Sequence, residues 1–366
     1  MALFGTQPPC NPGSRRRKLK EGHGWTCRGK GHGWTCRGNG KSVRRRLKSS
    51  TGSLNRSWPP EAPLPRSPST TTCPNILGQV PEKLGTQLRE YRAVGQVCAL
   101  HVHGLRVAPD RCGRSPLSWQ EAFDDTRQAV EETQLALLAA LLGEPFAWQT
   151  LQRGRMVQNL MPVRQDREAQ SGHGSVALDW HTEDSFHPRR CRYLVLLGIR
   201  NHDAVATTVG SVADVKLSEC HRSVLSERRF LIRPDPEHLR QLATVNPESE
   251  SLRQALRMDE QPKPVAILFG DPADPFLRID APYTTPVDGD QQAAEALAAL
   301  VAEFENSQQD VVIGTGDLLV VDNYRAVHGR RAFQPRYDGS DRWLKRMSVS
   351  GDTAVPWEHR HRSRLI

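Results

Sequence analysis

Between residues 96 and 350 the sequence carries a long series of short strand signals that no regular strand–helix alternation organises. Apolar, alternating or β-branched runs fall at 96–102, 157–163, 175–181, 192–199, 205–210, 265–269, 276–280, 310–313, 316–322 and 343–350. A doubly wound sheet would need a helix after nearly every strand. Helical patterns here are few. They are residues 82–94, the Ala/Leu-rich run from a Ser118/Glu121 capping box to Leu142 before Gly143, a short piece at 237–244, and amphipathic residues 290–304. The predicted class is mainly β with flanking helices: a double-sheet roll with helices packed outside it.

Residues 211–261 interrupt the strand series with a polar stretch containing Arg228, Arg229, Arg233 and Arg240. An insertion of that length between sheet strands is expected to be a lid or binding loop. Residues 1–78 contrast with all that follows. They are rich in Gly, Pro, Ser, Thr and basic residues and lack apolar periodicity, so disorder is expected of them. The net charge of +9 divides unevenly: residues 1–80 hold 15 Lys and Arg against Glu21 and Glu61, leaving 35 basic against 39 acidic groups beyond. The basic character belongs to the leader and the body is mildly acidic, which argues against a nucleic-acid-binding body. A basic nucleic-acid-binding protein, resting on the leader alone, is the rival reading from another class. The leader also holds a repeat, GHGWTCRG at 22–29 and again at 31–38, whose Cys27, Cys36, His23 and His32 match no zinc-finger spacing. The organisation predicted is a leader over 1–78 and one domain over 79–366.

No apolar run approaches the ~20 residues a membrane span requires, and the N-terminus lacks the apolar core of a secretory signal. The eight cysteines show no framework spacing, as in a reduced cytoplasmic protein.

The stretch from Asp179 to Arg190, DWHTEDSFHPRR, carries the chemistry. His181 and Glu183 are spaced i, i+2, so on an extended strand both side chains face one side. One metal could touch an imidazole nitrogen and a carboxylate oxygen there. A second histidine would complete the two-His, one-carboxylate set that leaves positions open on ferrous iron. His328, reached through the strand signal 316–322 and a short turn at 323–327, is the candidate.

The segments HTEDSFHP (181–188), GDLLVVDNYRAVHG (316–329) and DGSDRWLKR (338–346) together resemble the clavaminate synthase-like iron(II)/2-oxoglutarate oxygenases, relatives of taurine dioxygenase. Within that group the chain looks most like the β-hydroxylases of free amino acids, in particular the arginine β-hydroxylases of viomycin and streptothricin biosynthesis. The resemblance covers roughly residues 82–352. It implies a double-stranded β-helix, or jelly-roll, core and an enzyme of antibiotic-type metabolism that uses Fe(II), 2-oxoglutarate and O2. The implied reaction hydroxylates a small free amino acid at Cβ, L-arginine or a guanidino analogue, giving succinate and CO2. Enduracididine, lysine and asparagine are the alternative substrates.

Residue by residue, the resemblance implies iron held by His181, Glu183 and His328. Arg342, fourteen beyond His328, matches the arginine that forks onto the C5 carboxylate of 2-oxoglutarate, a bidentate task that suits a guanidinium. Thr208, with Thr207 beside it, matches the residue that hydrogen-bonds the same carboxylate. Arg346 matches the arginine that grips the substrate carboxylate. Asp280, with Asp235 in the lid segment, matches acidic contacts to a guanidinium, whereas Pro282 stands where a further acidic group is expected. Gln149 or Gln152 matches a glutamine that meets the substrate amine.

Overall fold

The computed structural model describes residues 80–351, together with the backbone of two short strands, Thr26–Gly29 (β1) and Trp34–Arg37 (β2). These two pair antiparallel with Cys27 opposite Cys36, and they fall in the first of two units into which the chain divides, Met1–Trp58 and Pro59–Ile366. The rest of the leader, including His23 and His32, lies outside the described residues.

Among the described residues the larger unit opens with helix Glu82–Val94 (α1), whose Leu84, Leu88 and Tyr91 recur on one buried face. Gly95 ends it at φ 59°, its N–H returning to the Tyr91 carbonyl, a left-handed cap that glycine adopts without strain. Strand Ala99–Val102 (β3) and a single turn at Pro109–Cys112 (α2) follow. The capping box at Ser118 forms, with Glu121 N–H donating to Ser118 Oγ at 3.1 Å, but no helix grows from it. The chain instead turns until Ala129, where helix Ala129–Ala140 (α3) begins. Asp125 explains the delay: its carboxylate accepts from the Arg127 amide and guanidinium and from Gln128, local bonds that compete with helical ones.

The strands are Glu144–Phe146 (β4), Gln158–Leu160 (β5), Leu178–His181 (β6), Tyr193–Arg200 (β7) and Ala206–Ser211 (β8). Next come helix Glu219–Leu225 (α4), strand Phe230–Ile232 (β9), and helices Pro236–Val245 (α5) and Glu250–Glu260 (α6). Strands Leu268–Asp271 (β10), Asp274–Leu277 (β11) and Thr284–Pro286 (β12) lead to helix Gln291–Ser307 (α7). Gln309–Val312 (β13), Leu318–Asp322 (β14), Ala326–Arg330 (β15) and Trp343–Ser350 (β16) complete the unit.

Two antiparallel sheets form the jelly roll. One runs β3-β14-β7-β16-β4, with β5 also on β16, and the other runs β13-β8-β15-β6. Residues on β16 alternate in what they meet. Trp343, Met347 and Val349 join Leu88, Leu135, Leu138 and Leu142 in the core under α1 and α3. Arg346 and, just before the strand, Arg342 turn the other way: Arg342 reaches Thr207 of the opposite sheet and Arg346 reaches Glu183, two residues beyond β6. Each leucine sealed in that core contributes ~1.5–3 kcal/mol by burial, so the six-stranded sheet is a rigid back wall.

The polar stretch at 211–261 is not one structureless loop. It folds as α4, β9, α5 and α6 and sends Val224, Leu225, Phe230, Ile232 and Ala255 into a second core with Leu300 and Phe304 of α7. The sequence reading registered its surface charge and missed this apolar minority.

Candidate active site

Strand β6 ends at His181, which lies opposite His328 of β15 in register, and Val209 of β8 flanks His328 on its other side. Paired residues of antiparallel strands share a face, so both imidazoles point into the roll. Their ring centroids are 4.2 Å apart. His328 sits within a strand rather than at the end of the expected turn; the turn is confined to 323–325. Gly329 lets β6 come this close, because a Cβ there would stand 2.4 Å from the Leu178 carbonyl oxygen.

Beyond β6 the Thr182 N–H donates to the Ile279 carbonyl at 2.7 Å and its hydroxyl to the same oxygen at 3.1 Å. Thr182 is thereby pinned outward and the residues on either side of it face inward. Glu183 is then fixed by Asn323: the Glu183 N–H donates to Asn323 Oδ1 at 2.6 Å, and Asn323 Nδ2 returns to the Glu183 carbonyl at 3.0 Å. Asn323 is fully buried and had no role in the sequence reading. Its signal there was only a position one after strand β14, inside the motif that carries His328.

His181, Glu183 and His328 each offer a ligand atom, all within 4.8 Å of one another, and His328 Nε2 is 3.5 Å from Glu183 Oε2. The His181 Nδ1–H donates to the Asp179 carbonyl at 2.8 Å, which leaves the Nε2 lone pair free for a metal. Burial, then neighbouring His328, pushes the His181 pKa down to about 3. Burial acts to raise the Glu183 pKa, but Arg346 and the two imidazoles outweigh it and hold the carboxyl well below its usual range. Neutral imidazoles and an ionised carboxylate are the forms that bind a metal. The donor set suits ferrous iron, with coordination positions left for other ligands.

Arg342 is buried, its Nη2 donating to Thr207 Oγ1 at 3.2 Å while its Nε has no partner. Burial and then the nearby Arg330 push its pKa down to about 9. Among the described residues no carboxylate pairs with it. A buried guanidinium without an anion is costly, and this one is aimed where an acidic ligand would relieve it. Thr207 shares the His328 face, whereas Thr208 pairs with Gly329 and lies on the opposite face. The residue at Arg342 is thus Thr207 and not Thr208.

Arg346 donates to Glu183 Oε1 and, through Nε, to Gln158 Oε1 at 3.0 Å. Gln158, on β5, is a further residue the sequence reading did not single out. A cleft of about 700 Å³, counting its open mouth, is lined by His181, Glu183, Arg346, Gln152, Asp235 and Asp280, with Pro282 also on its wall. Burial pushes the Asp235 pKa up to about 6, and burial followed by Asp235 raises that of Asp280 well above the usual range. Asp235 also caps α5, accepting from the Glu237 amide at 2.9 Å. Gln149 is exposed and accepts from Ser251 at 2.9 Å, outside the cleft. Gln152 lines the cleft at φ 44°, but its amide is spent on the Asn159 backbone at 2.8 and 2.9 Å.

Residues 123–348 match the taurine catabolism dioxygenase TauD, TfdA family, and the chain belongs to it. With a His–Glu–His donor set and a buried, anion-seeking arginine, it is an iron(II)/2-oxoglutarate-dependent dioxygenase. Particular relatives narrow the comparison. The chain is 37% identical over 285 residues to an enduracididine β-hydroxylase of Streptomyces hygroscopicus, covering 75% of this chain and 83% of that protein. It is 36% identical over 258 residues to an L-ornithine/L-arginine 3-hydroxylase of Catenulispora acidiphila, covering 68% and 75%. The crystal structure of the non-heme iron oxygenase OrfP with Fe, succinate and (3S)-hydroxy-L-Arg superposes with a TM-score of 0.71 at 38% identity, covering 76% and 84%.

Proposed function

We propose that the chain hydroxylates free L-arginine, or a close guanidino analogue, at Cβ. The observation that carries this reading is the cleft's polarity. Arg346 and two of the metal donors, His181 and Glu183, line it together with two half-buried carboxyls, Asp235 and Asp280. Among the described residues neither carboxyl has a cationic partner, so a bound cation would relieve both. An α-carboxylate on Arg346, which touches Glu183, keeps the first side-chain carbon nearest the metal. The guanidinium would reach Asp280 and Asp235. The similar proteins, an enduracididine β-hydroxylase and an L-ornithine/L-arginine 3-hydroxylase, agree with such a ligand.

His181, Glu183 and His328 would hold the iron, Arg342 with Thr207 the C5 carboxylate of 2-oxoglutarate, and Arg346 the substrate carboxylate. Bound iron with 2-oxoglutarate and O2 supplies the oxidising power, yielding succinate and CO2 as one oxygen atom enters the substrate C–H bond. The protein orients the substrate and excludes water. The segment at 211–261 would act as the lid through α5, whose first residues bring Asp235 to the cleft. The oxygenase domain would span 79–366, acting on antibiotic-type precursors.

Succinate formation with Fe(II), 2-oxoglutarate and a panel of free amino acids tests the reading. Turnover is expected with arginine. Turnover with lysine or asparagine and none with arginine would keep the reaction and reject the guanidinium assignment, while enduracididine alone would select the cyclic guanidine.

A further inference from the structure

A second two-His, one-carboxylate group lies on the six-stranded sheet, apart from the active site. Strand β3 pairs with β14 with Leu318 opposite Val102 and Leu319 opposite His101, so continuing the ladder sets Asp317 opposite His103. His101, His103, Leu319 and Asp317 therefore share one face. The imidazole rings of His101 and His103 are 4.0 Å apart between centroids. His103 Nδ1 is 2.8 Å from Asp317 Oδ1, and His101 Nε2 is 3.5 Å from Asp317 Oδ2. All three ligand atoms fall within 4.8 Å of one another.

Two details separate this group from an ordinary surface ion pair. The His101 side chain is only 9% exposed, and its buried Nε2 faces Asp317 Oδ2 at 3.5 Å, too long for a good hydrogen bond, and is aimed at the cluster. A buried nitrogen held by so long a contact is poorly satisfied, and a metal ion would satisfy it. The Asp317 carboxylate is pre-set by the Gly314 amide at 2.9 Å, while His103, with 62% of its side chain exposed, leaves a path for an ion. Zinc bonds to imidazole nitrogen and carboxylate oxygen at about 2.0–2.2 Å, which needs donors about 3.3 Å apart. Small side-chain rotations from the observed separations reach that.

We propose that His101, His103 and Asp317 form a second divalent-metal site, for a borderline transition metal such as zinc, nickel or cobalt. Water completes the coordination, and the ion fastens the edge strand β3 to the turn that precedes β14. This is independent of the iron site and of the substrate assignment.

Equilibrium dialysis of the full chain against nickel(II), with metal analysis, is the test. The wild type is expected to bind one equivalent more than the His101→Gln/His103→Gln double variant. His328→Ala should keep that equivalent while losing the one at the active site. Asp317→Asn should weaken the second equivalent at least tenfold. Retention of the active-site equivalent in the Gln variants shows that they fold. Saturating nickel should raise the wild-type melting temperature more than that of the double variant. Equal nickel stoichiometry in the wild type and the double variant, with the active-site equivalent intact in both, overturns the proposal.

Discussion

His181 and His328 stand opposite each other in the antiparallel pair of β6 and β15, so backbone register rather than loop conformation sets their separation. Two donors of the metal set are thus held by paired strands. The third, Glu183, is fixed from beyond the strand by Asn323.

Gly329→Ala tests the register directly. The added Cβ would meet Leu178 O at 2.4 Å and Thr208 Oγ1 at 2.8 Å, and β6 would have to move away from β15. We expect iron or cobalt affinity to fall roughly 10–100-fold, the range for disturbed ligand support. Metal titration of the variant, with circular dichroism as the fold control, checks this; undiminished affinity would show that the register does not place the histidines.

Asn323→Ala should act through Glu183. Loss of the clamp leaves the Glu183 amide, and the Glu183 and Cys191 carbonyls that Asn323 Nδ2 reaches at 3.0 Å each, without their partner. The expected costs are about 1–3 kcal/mol of stability per orphaned buried group and weakened metal binding. Chemical denaturation and metal titration measure the two effects. Unchanged metal affinity would mean that the clamp serves the fold alone.

Arg342 and Thr207 should separate from Thr208. Thr207→Val removes a hydrogen bond to a charged group, worth about 1.5–3 kcal/mol, and so should raise the KM for 2-oxoglutarate by roughly ten- to a hundredfold. Thr208→Val should leave that KM near the wild-type value. Arg342→Met should raise the melting temperature of the ligand-free protein by removing an uncompensated buried charge, and should abolish the stabilisation that 2-oxoglutarate gives the wild type. The opposite ranking of the two threonine variants would place the cosubstrate on the other face of β8.

Asp235 gives the pH dependence. Its pKa is raised from 3.8 to about 6, so the folded, ligand-free protein binds the extra proton. That contribution to stability is fully present below about pH 4 and is lost as pH rises through about 6. Binding of a cation needs the ionised form and runs the other way. The KM for arginine should therefore fall as pH rises from about 5 to 7, and Asp235→Asn should flatten that slope. A slope unchanged in the variant would remove Asp235 from substrate recognition.

Much of this was legible in the sequence because strands advertise themselves by pattern and ligand sets by motif. α1 and β16 fall where their periodicity predicts, whereas β6 ends at His181 and Glu183 reaches the same side from beyond the strand. The errors have physical causes. The resemblance puts Thr208 ahead of Thr207, but faces alternate along a strand and only the pairing register tells which one looks inward. Gln149 and Gln152 could not be separated without the backbone, which exposes one and spends the amide of the other. The helix expected from Ser118 was displaced by Asp125, whose local bonds no periodicity reveals. Asn323 and Gln158 act by contacts 140 and 188 residues away in sequence, to Glu183 and Arg346, beyond the reach of local pattern.

The most direct measurement is the ratio of hydroxylated arginine to succinate in a reaction containing the purified chain, Fe(II), 2-oxoglutarate, O2 and L-arginine, with the hydroxyl located by NMR. The expected result is one 3-hydroxyarginine per succinate, with neither formed by His328→Ala. Succinate without hydroxyarginine, or hydroxylation at a carbon remote from Cβ, would contradict the placement of the substrate between Arg346 and the two aspartates of the cleft.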